Sequence, residues 1–177
     1  MKIKFKPENT NKARNIRFIV YFVSAIVLSV ANLTVINYIS VEGLMPDLTL
    51  ILCVLIAVRE GQFVGVFAGF LIGLIFDFLS PEAVIGTGAL TKTVVGLIAG
   101  WFHREKKTDF IIGSYRFLLI VLFSSIVHNA IYFFMYVKSS ELMFMPFFLK
   151  YGIAISLYTT VFAVFPMMLK MPKKGYL

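Results

Sequence analysis

Several residues that could do chemistry stand inside stretches apolar enough to lie in lipid. Asp77 lies in FAGFLIGLIFDFLS, Lys92 in GTGALTKTVVGLIAGW, His128 and Asn129 in a later apolar run, and Asp47 directly after Pro46. A carboxylate or an ammonium at membrane depth is costly when unpaired, so three roles are open to Asp77 and Lys92. They could form an intramembrane charge pair, line a partner or ligand site, or take part in a proton relay. A relay normally needs a longer series of acids and histidines, so pairing across two helices is the simplest reading. Asp47 can cap the helix that follows Pro46, and Arg59 sits at that helix's other end, where a cation is favoured. Capping and topology account for both. His103 falls at a helix end in a basic loop, and neither it nor His128 has a second histidine or acid beside it at metal-ligand spacing. His128 and Asn129 read as an interhelical hydrogen-bonding pair. The single Cys53 rules out an internal disulfide and any multi-cysteine metal site, and its apolar context suits a small buried hydrophobe. There is no GxxxxGK[ST] loop and no GxSxG elbow. The expectation is a protein that is not an enzyme and holds no metal or cofactor.

The elements that must position these residues are membrane helices. Of the 177 residues 59% are hydrophobic and only 15% charged, 19 are Phe, and mean hydropathy is +0.88, which leaves too little polar surface for a water-soluble domain. A basic tail over 1–17 precedes an uncharged run from Phe18 to Val41 that is long for a signal peptide and lacks a convincing cleavage site, so it reads as an uncleaved first helix. TLILCVLIAV after Pro46-Asp47 is a short second span, Gly61 to about Leu79 a third and about Ala83 to Phe102 a fourth. Phe117–Val137 and Tyr151–Leu169 complete six, giving an all-α transmembrane domain over 18–169 and a basic tail over 170–177. With both termini cytoplasmic, the N-terminal tail, Arg59, the HREKKTDFIIGSYR loop and the C-terminal tail gather fourteen of the seventeen Lys and Arg inside, leaving Lys138 and Lys150 outside. Most of the +8 net charge is thus a topology signal facing anionic lipid, and no nucleic acid is implied.

Glycine patterning adds a packing expectation. Gly61, Gly65, Gly69 and Gly73 recur every four residues with Asp77 next in the series, and Gly88, Lys92, Gly96 and Gly100 repeat the pattern. Small-residue stripes of this spacing let backbones approach closely in lipid, so the third and fourth spans are expected to pack together. On that hairpin Asp77 lies at the outer end of one helix and Lys92 about two turns into the other, in the same leaflet.

The order PDLTLILCVLIAVREGQFVGVFAGFLIGLIFDFLS followed by GTGALTKTVVGLIAGW resembles the rod shape-determining MreD family over about residues 44–102. In that family a Pro-Asp opens the second helix, an Arg closes it, a glycine-rich third helix ends in Asp, and a Lys-containing helix ends in Gly. Pro46, Asp47, Arg59, Gly69, Gly73, Asp77 and Lys92 are the matching positions, while Pro81-Glu82 in the connecting turn departs from the pattern. The resemblance implies a non-enzymatic plasma-membrane scaffold of the bacterial elongation machinery, with MreC, MreB, a polymerase and a transpeptidase as partners. It also implies a fold similar to the six-helix vitamin-binding components of energy-coupling-factor transporters. The alternative function is therefore a small-molecule-binding membrane subunit of a transporter, for which Asp77, Lys92, His128, Asn129 and Asn37 would have to converge on one cavity.

Overall fold

Pro7, whose missing N–H is no loss at a first helical position, starts α1 (Pro7–Thr34). The computed structural model describes residues 7–34, 44–80, 85–138 and 144–170. α1 begins inside the segment 1–17 expected to be a tail, so Lys12, Arg14 and Arg17 lie along a helix that continues into the membrane span. Lys2, Lys4, Lys6, Asn37, Pro81, Glu82, Ser139 and the stretch 171–177 fall outside the described residues. There follow α2 (Leu48–Glu60), α3 (Gln62–Leu79), α4 (Thr87–Gly100), a short α5 (Thr108–Ile112) in the basic loop, α6 (Tyr115–Lys138) and α7 (Phe144–Leu169).

Among the described residues four helices are long and apolar enough to cross a membrane: α1 from Arg14 to Thr34, α3, α6 from Tyr115 to Tyr136, and α7. α2 and α4 are apolar but have 13 and 14 residues. Each is about 20 Å long, against a hydrocarbon core of about 30 Å. Of the six expected spans, four are thus long helices, while the second, expected to be short, and the fourth are short helices packed among them. α2 is apolar on every side and buried on most of them, with Leu50, Cys53, Val54, Ile56, Ala57 and Val58 almost fully enclosed, because α1, α3, α4, α6 and α7 surround it.

α7 is not one regular helix. It passes through a π turn at Phe148–Gly152, and the Gly152 carbonyl there accepts from the Ser156 hydroxyl and from the Asn129 side-chain amide of α6. A second irregularity falls at Ala163, whose N–H is shared between Thr159 O and Thr160 O. Pro166, which lacks an N–H and crowds the carbonyl four residues back, follows three residues later and accounts for it.

The burial pattern is that of a protein turned toward lipid. Phe63, Phe67, Phe78, Leu157, Val161 and Phe165 are exposed, while Ser29, Thr91, Lys92, Ser124, Ser125, His128 and Ser156 are buried. An apolar exterior around polar contacts is the arrangement a bilayer rewards, because helices in lipid associate through packing and hydrogen bonds.

Candidate functional site

α3 and α4 form the most extensive contact between any two helices, and the stripes set its register. A Cβ on Gly96 would strike Gly65 O, one on Gly69 would strike Lys92 O, and one on Gly73 would strike Gly88 O; at Gly100 it would meet the Gln62 backbone. Each step of four along α3 therefore meets a step of four back along α4, with nothing but backbone between them. Gly61 lies outside this seam. It stands between α2 and α3 at φ +93°, a left-handed conformation open to glycine, and its N–H closes the last turn of α2 on Ala57 O. The His103 ring lies beside it, and His103 Nδ1–H donates to Val58 O at 2.9 Å, satisfying another terminal carbonyl of α2.

The same register decides where the two expected charges go. Lys92 is level with Gly69, eight residues before Asp77 on α3, a separation of about 12 Å along the axis. Asp77 is instead level with the N-terminus of α4, where its carboxylate accepts from three backbone amides: Gly86 N at 2.9 Å, Gly88 N at 3.1 Å and Ala89 N at 3.1 Å. Gly86 at φ +97° turns these amides inward, and a Cβ on Gly88 would collide with Asp77 Oδ1. An anion at a helix N-terminus satisfies orphan donors and meets the positive end of the dipole. The expected Asp77–Lys92 pair is therefore corrected: Asp77 is a cap supplied by α3 to α4.

Lys92, 1% exposed, reaches toward α2, and its Nζ lies 3.1 Å from Asp47 Oδ2 and 4.8 Å from the centre of the Phe76 ring. His128 Nε2 of α6 lies 3.6 Å from the same carboxylate oxygen. The other oxygen, Asp47 Oδ1, caps α2, accepting from Leu50 N–H at 2.8 Å and from the Thr49 hydroxyl at 2.6 Å. Asp47 N–H donates to Thr159 Oγ1 of α7, and the neighbouring Leu48 N–H donates to Asn32 Oδ1 of α1. Residues 47 and 48 thus tie α1, α2, α4, α6 and α7 together. This is possible because the Lys92 side chain is long: the Lys92 backbone is level with Cys53, whose Sγ lies 3.4 Å from Lys92 O, and Nζ reaches along α2 to the N-cap.

Above the cluster is a cavity of about 590 Å³, whose lining includes Asn32, Pro46, Asp47, Phe76, Lys92, His128 and Asn129. Of the residues considered for convergence, Lys92, His128 and Asn129 come together there; Asp77 does not line it. His128 and Asn129 part company, since Asn129 Nδ2 donates to Gly152 O and Ser156 Oγ. Arg59 is at the opposite end of α2, in a polar recess with Arg17, Glu60 and His103. Glu60 accepts from the Tyr21 hydroxyl at 2.9 Å and faces Arg17 Nε at 3.1 Å, so α1 is held to both ends of α2. Among the described residues no group of three or more His, Cys, Asp or Glu side chains could hold a metal.

The family model for rod shape-determining protein MreD matches residues 12–168. The chain belongs to the MreD family. No curated protein and no solved structure matches it. MreD membership assigns it to rod shape determination as a membrane protein, and the residues resembling the family pattern now have positions. Pro46, Asp47 and Lys92 line the cavity, Gly69, Gly73 and Asp77 lie along the α3–α4 seam, and Arg59 closes α2. Missed by sequence reasoning were the Asp47–Lys92 pairing and the roles of Thr159 and Ser156. The length of the Lys92 side chain was the available signal, since a lysine ammonium can reach a carboxylate well away from its own backbone.

Proposed function

We propose that this MreD-family chain is an integral membrane scaffold of the bacterial elongasome, six helices crossing or entering the plasma membrane with both termini cytoplasmic. It binds MreC and thereby supports lateral peptidoglycan synthesis together with MreB, a polymerase and a transpeptidase. The observation that carries this reading is the family match over residues 12–168. Its geometry suits a scaffold, because the Asp47 cluster joins most of the helices and leaves the outer faces apolar. A groove of about 300 Å³ between α1 and α3, lined by Phe22, Ala25, Phe67, Ala68 and Leu71 among others, is where we place a partner's membrane helix. Affinity purification of the tagged full chain from membranes of its host should recover MreC. Phe22→Ala with Phe67→Ala, both exposed in the groove, should reduce that recovery at unchanged protein level. Absence of MreC from a well-expressed preparation refutes the scaffold reading.

The second reading, a small-molecule-binding membrane subunit of a transporter, is favoured by the cavity above Asp47 and Lys92. The same purification separates the two, since a transporter subunit would bring down ATPase subunits in place of MreC.

A further inference from the structure

At the end of the bundle opposite Asp47, a groove of about 790 Å³ runs between the end of α4, α5 and the first turns of α6. Arg104, Lys106, Lys107 and Arg116 line it, all exposed, and Glu105 is the one acid among its lining residues. None of the four cations makes an ion pair with a described residue; the described ion pairs lie elsewhere, at Arg17–Glu60, around Asp47, and at Lys170–Asp109. The groove continues away from these charges along an apolar wall. Ile111 and Ile120 form a buried floor, while Trp101, Leu119 and Phe123 stand exposed at its sides. From Arg116 to Phe123 α6 rises about 10 Å, so the wall extends from the charged rim into the depth of the span.

We infer that this groove binds an anionic phospholipid, its phosphate among Arg104, Lys106, Lys107 and Arg116 and an acyl chain along Leu119 and Phe123. Two features select that ligand class. Uncompensated cations beside a membrane span attract anionic headgroups. The apolar wall would go unused by free phosphate or by an acidic protein segment lying on the cytoplasmic surface. Trp101 stands where the two environments meet, the position that an indole prefers at a membrane interface.

The test uses the full chain in detergent and native mass spectrometry with phosphatidylglycerol, cardiolipin or phosphatidylcholine added. The two anionic lipids should be retained in preference to phosphatidylcholine, and neutralising one cation, as in Arg116→Gln or Lys107→Gln, should weaken retention about fivefold. Lys12→Gln with Arg14→Gln, charges on α1, should leave it unchanged. Trp101→Ala with Phe123→Ala, which keeps every charge, should also weaken it, and excess inorganic phosphate should not displace the lipid. Equal retention of phosphatidylcholine overturns the proposal, as does indifference to the Arg116 and Lys107 changes. Displacement by phosphate, or indifference to the Trp101/Phe123 variant, shows a site for phosphate alone and also overturns it. If the Arg116 and Lys107 changes instead cost a co-purifying protein and no lipid, the surface is a protein contact and the lipid assignment fails.

Discussion

Lys92 is almost wholly enclosed, and Asp47 is the carboxylate that makes its burial tolerable. Breaking a buried ion pair from one side costs about 3–5 kcal/mol because the remaining charge is left without compensation. Lys92→Met and Asp47→Ala should therefore each lower the stability of the purified protein strongly, whereas Asp47→Asn with Lys92→Met should recover much of the loss. A double-mutant cycle followed by thermal unfolding in detergent checks this, with non-additivity expected for Asp47/Lys92 and simple additivity for Asp77/Lys92. Coupling of Lys92 to Asp77 and not to Asp47 would contradict the geometry. Asp77 carries a different expectation, since its two oxygens accept three amides: Asp77→Asn keeps one acceptor but turns its NH2 toward an amide donor and should cost about 1–3 kcal/mol, and Asp77→Ala, which removes both acceptors, about 2–4 kcal/mol. Both charges were legible as intramembrane residues that needed partners. Their partners were not, because Asp47 already had a sufficient local explanation as a cap, and one carboxylate oxygen does that work while the other remains free for a lysine.

Helix packing was more readable, because spacing by four in glycine is a property of the chain itself. The stripes on α3 and α4 name the two faces that meet, and carbonyl oxygens of one helix occupy the places where side chains of the other would begin. Gly69→Leu or Gly73→Leu must push α4 away and with it Lys92 from Asp47, so folded protein should fall sharply. Leu71→Ala, on an exposed face of the same helix, should be mild. Expression level and unfolding temperature of the three variants measure the contrast, and similar tolerance would remove the seam from the account. Two members of the pattern were misread for a reason internal to it. Gly61 shares the spacing but ends one helix and starts the next, and Lys92 contributes its carbonyl to the seam while its side chain leaves for α2. Periodicity reports where a Cα lies on a helix. It does not report where a long side chain ends.

For the whole molecule, helix length carries the most consequence. α2 has 13 residues against 18 in α3, which starts directly after it, so α2 ends before α3 does at the Asp47 end, and the cavity lies beside its N-cap. Counting apolar runs could not separate spanning helices from enclosed ones, since an inner helix is as apolar as an outer one and shorter only by a turn or two. The positive charges, by contrast, gather at the other end, around His103 to Lys107 and Arg116. If they face the cytoplasm, the cavity opens outward. Cysteine labelling can test this, because Cys53 is the chain's one cysteine and is fully buried, so a Cys53→Ala background should be silent. Met45 lines the cavity and is 39% exposed, and Lys107 stands exposed on the basic loop. In intact cells whose outer envelope admits the reagent, a membrane-impermeant maleimide should label Met45→Cys, while Lys107→Cys should react only after the membrane is opened. Labelling in the reverse order would invert the orientation and turn the cavity toward the cytoplasm. Failure of Met45→Cys to react from either side would mean that lipid or a partner seals the cavity mouth, and water would then not reach the Asp47–Lys92 pair from that end.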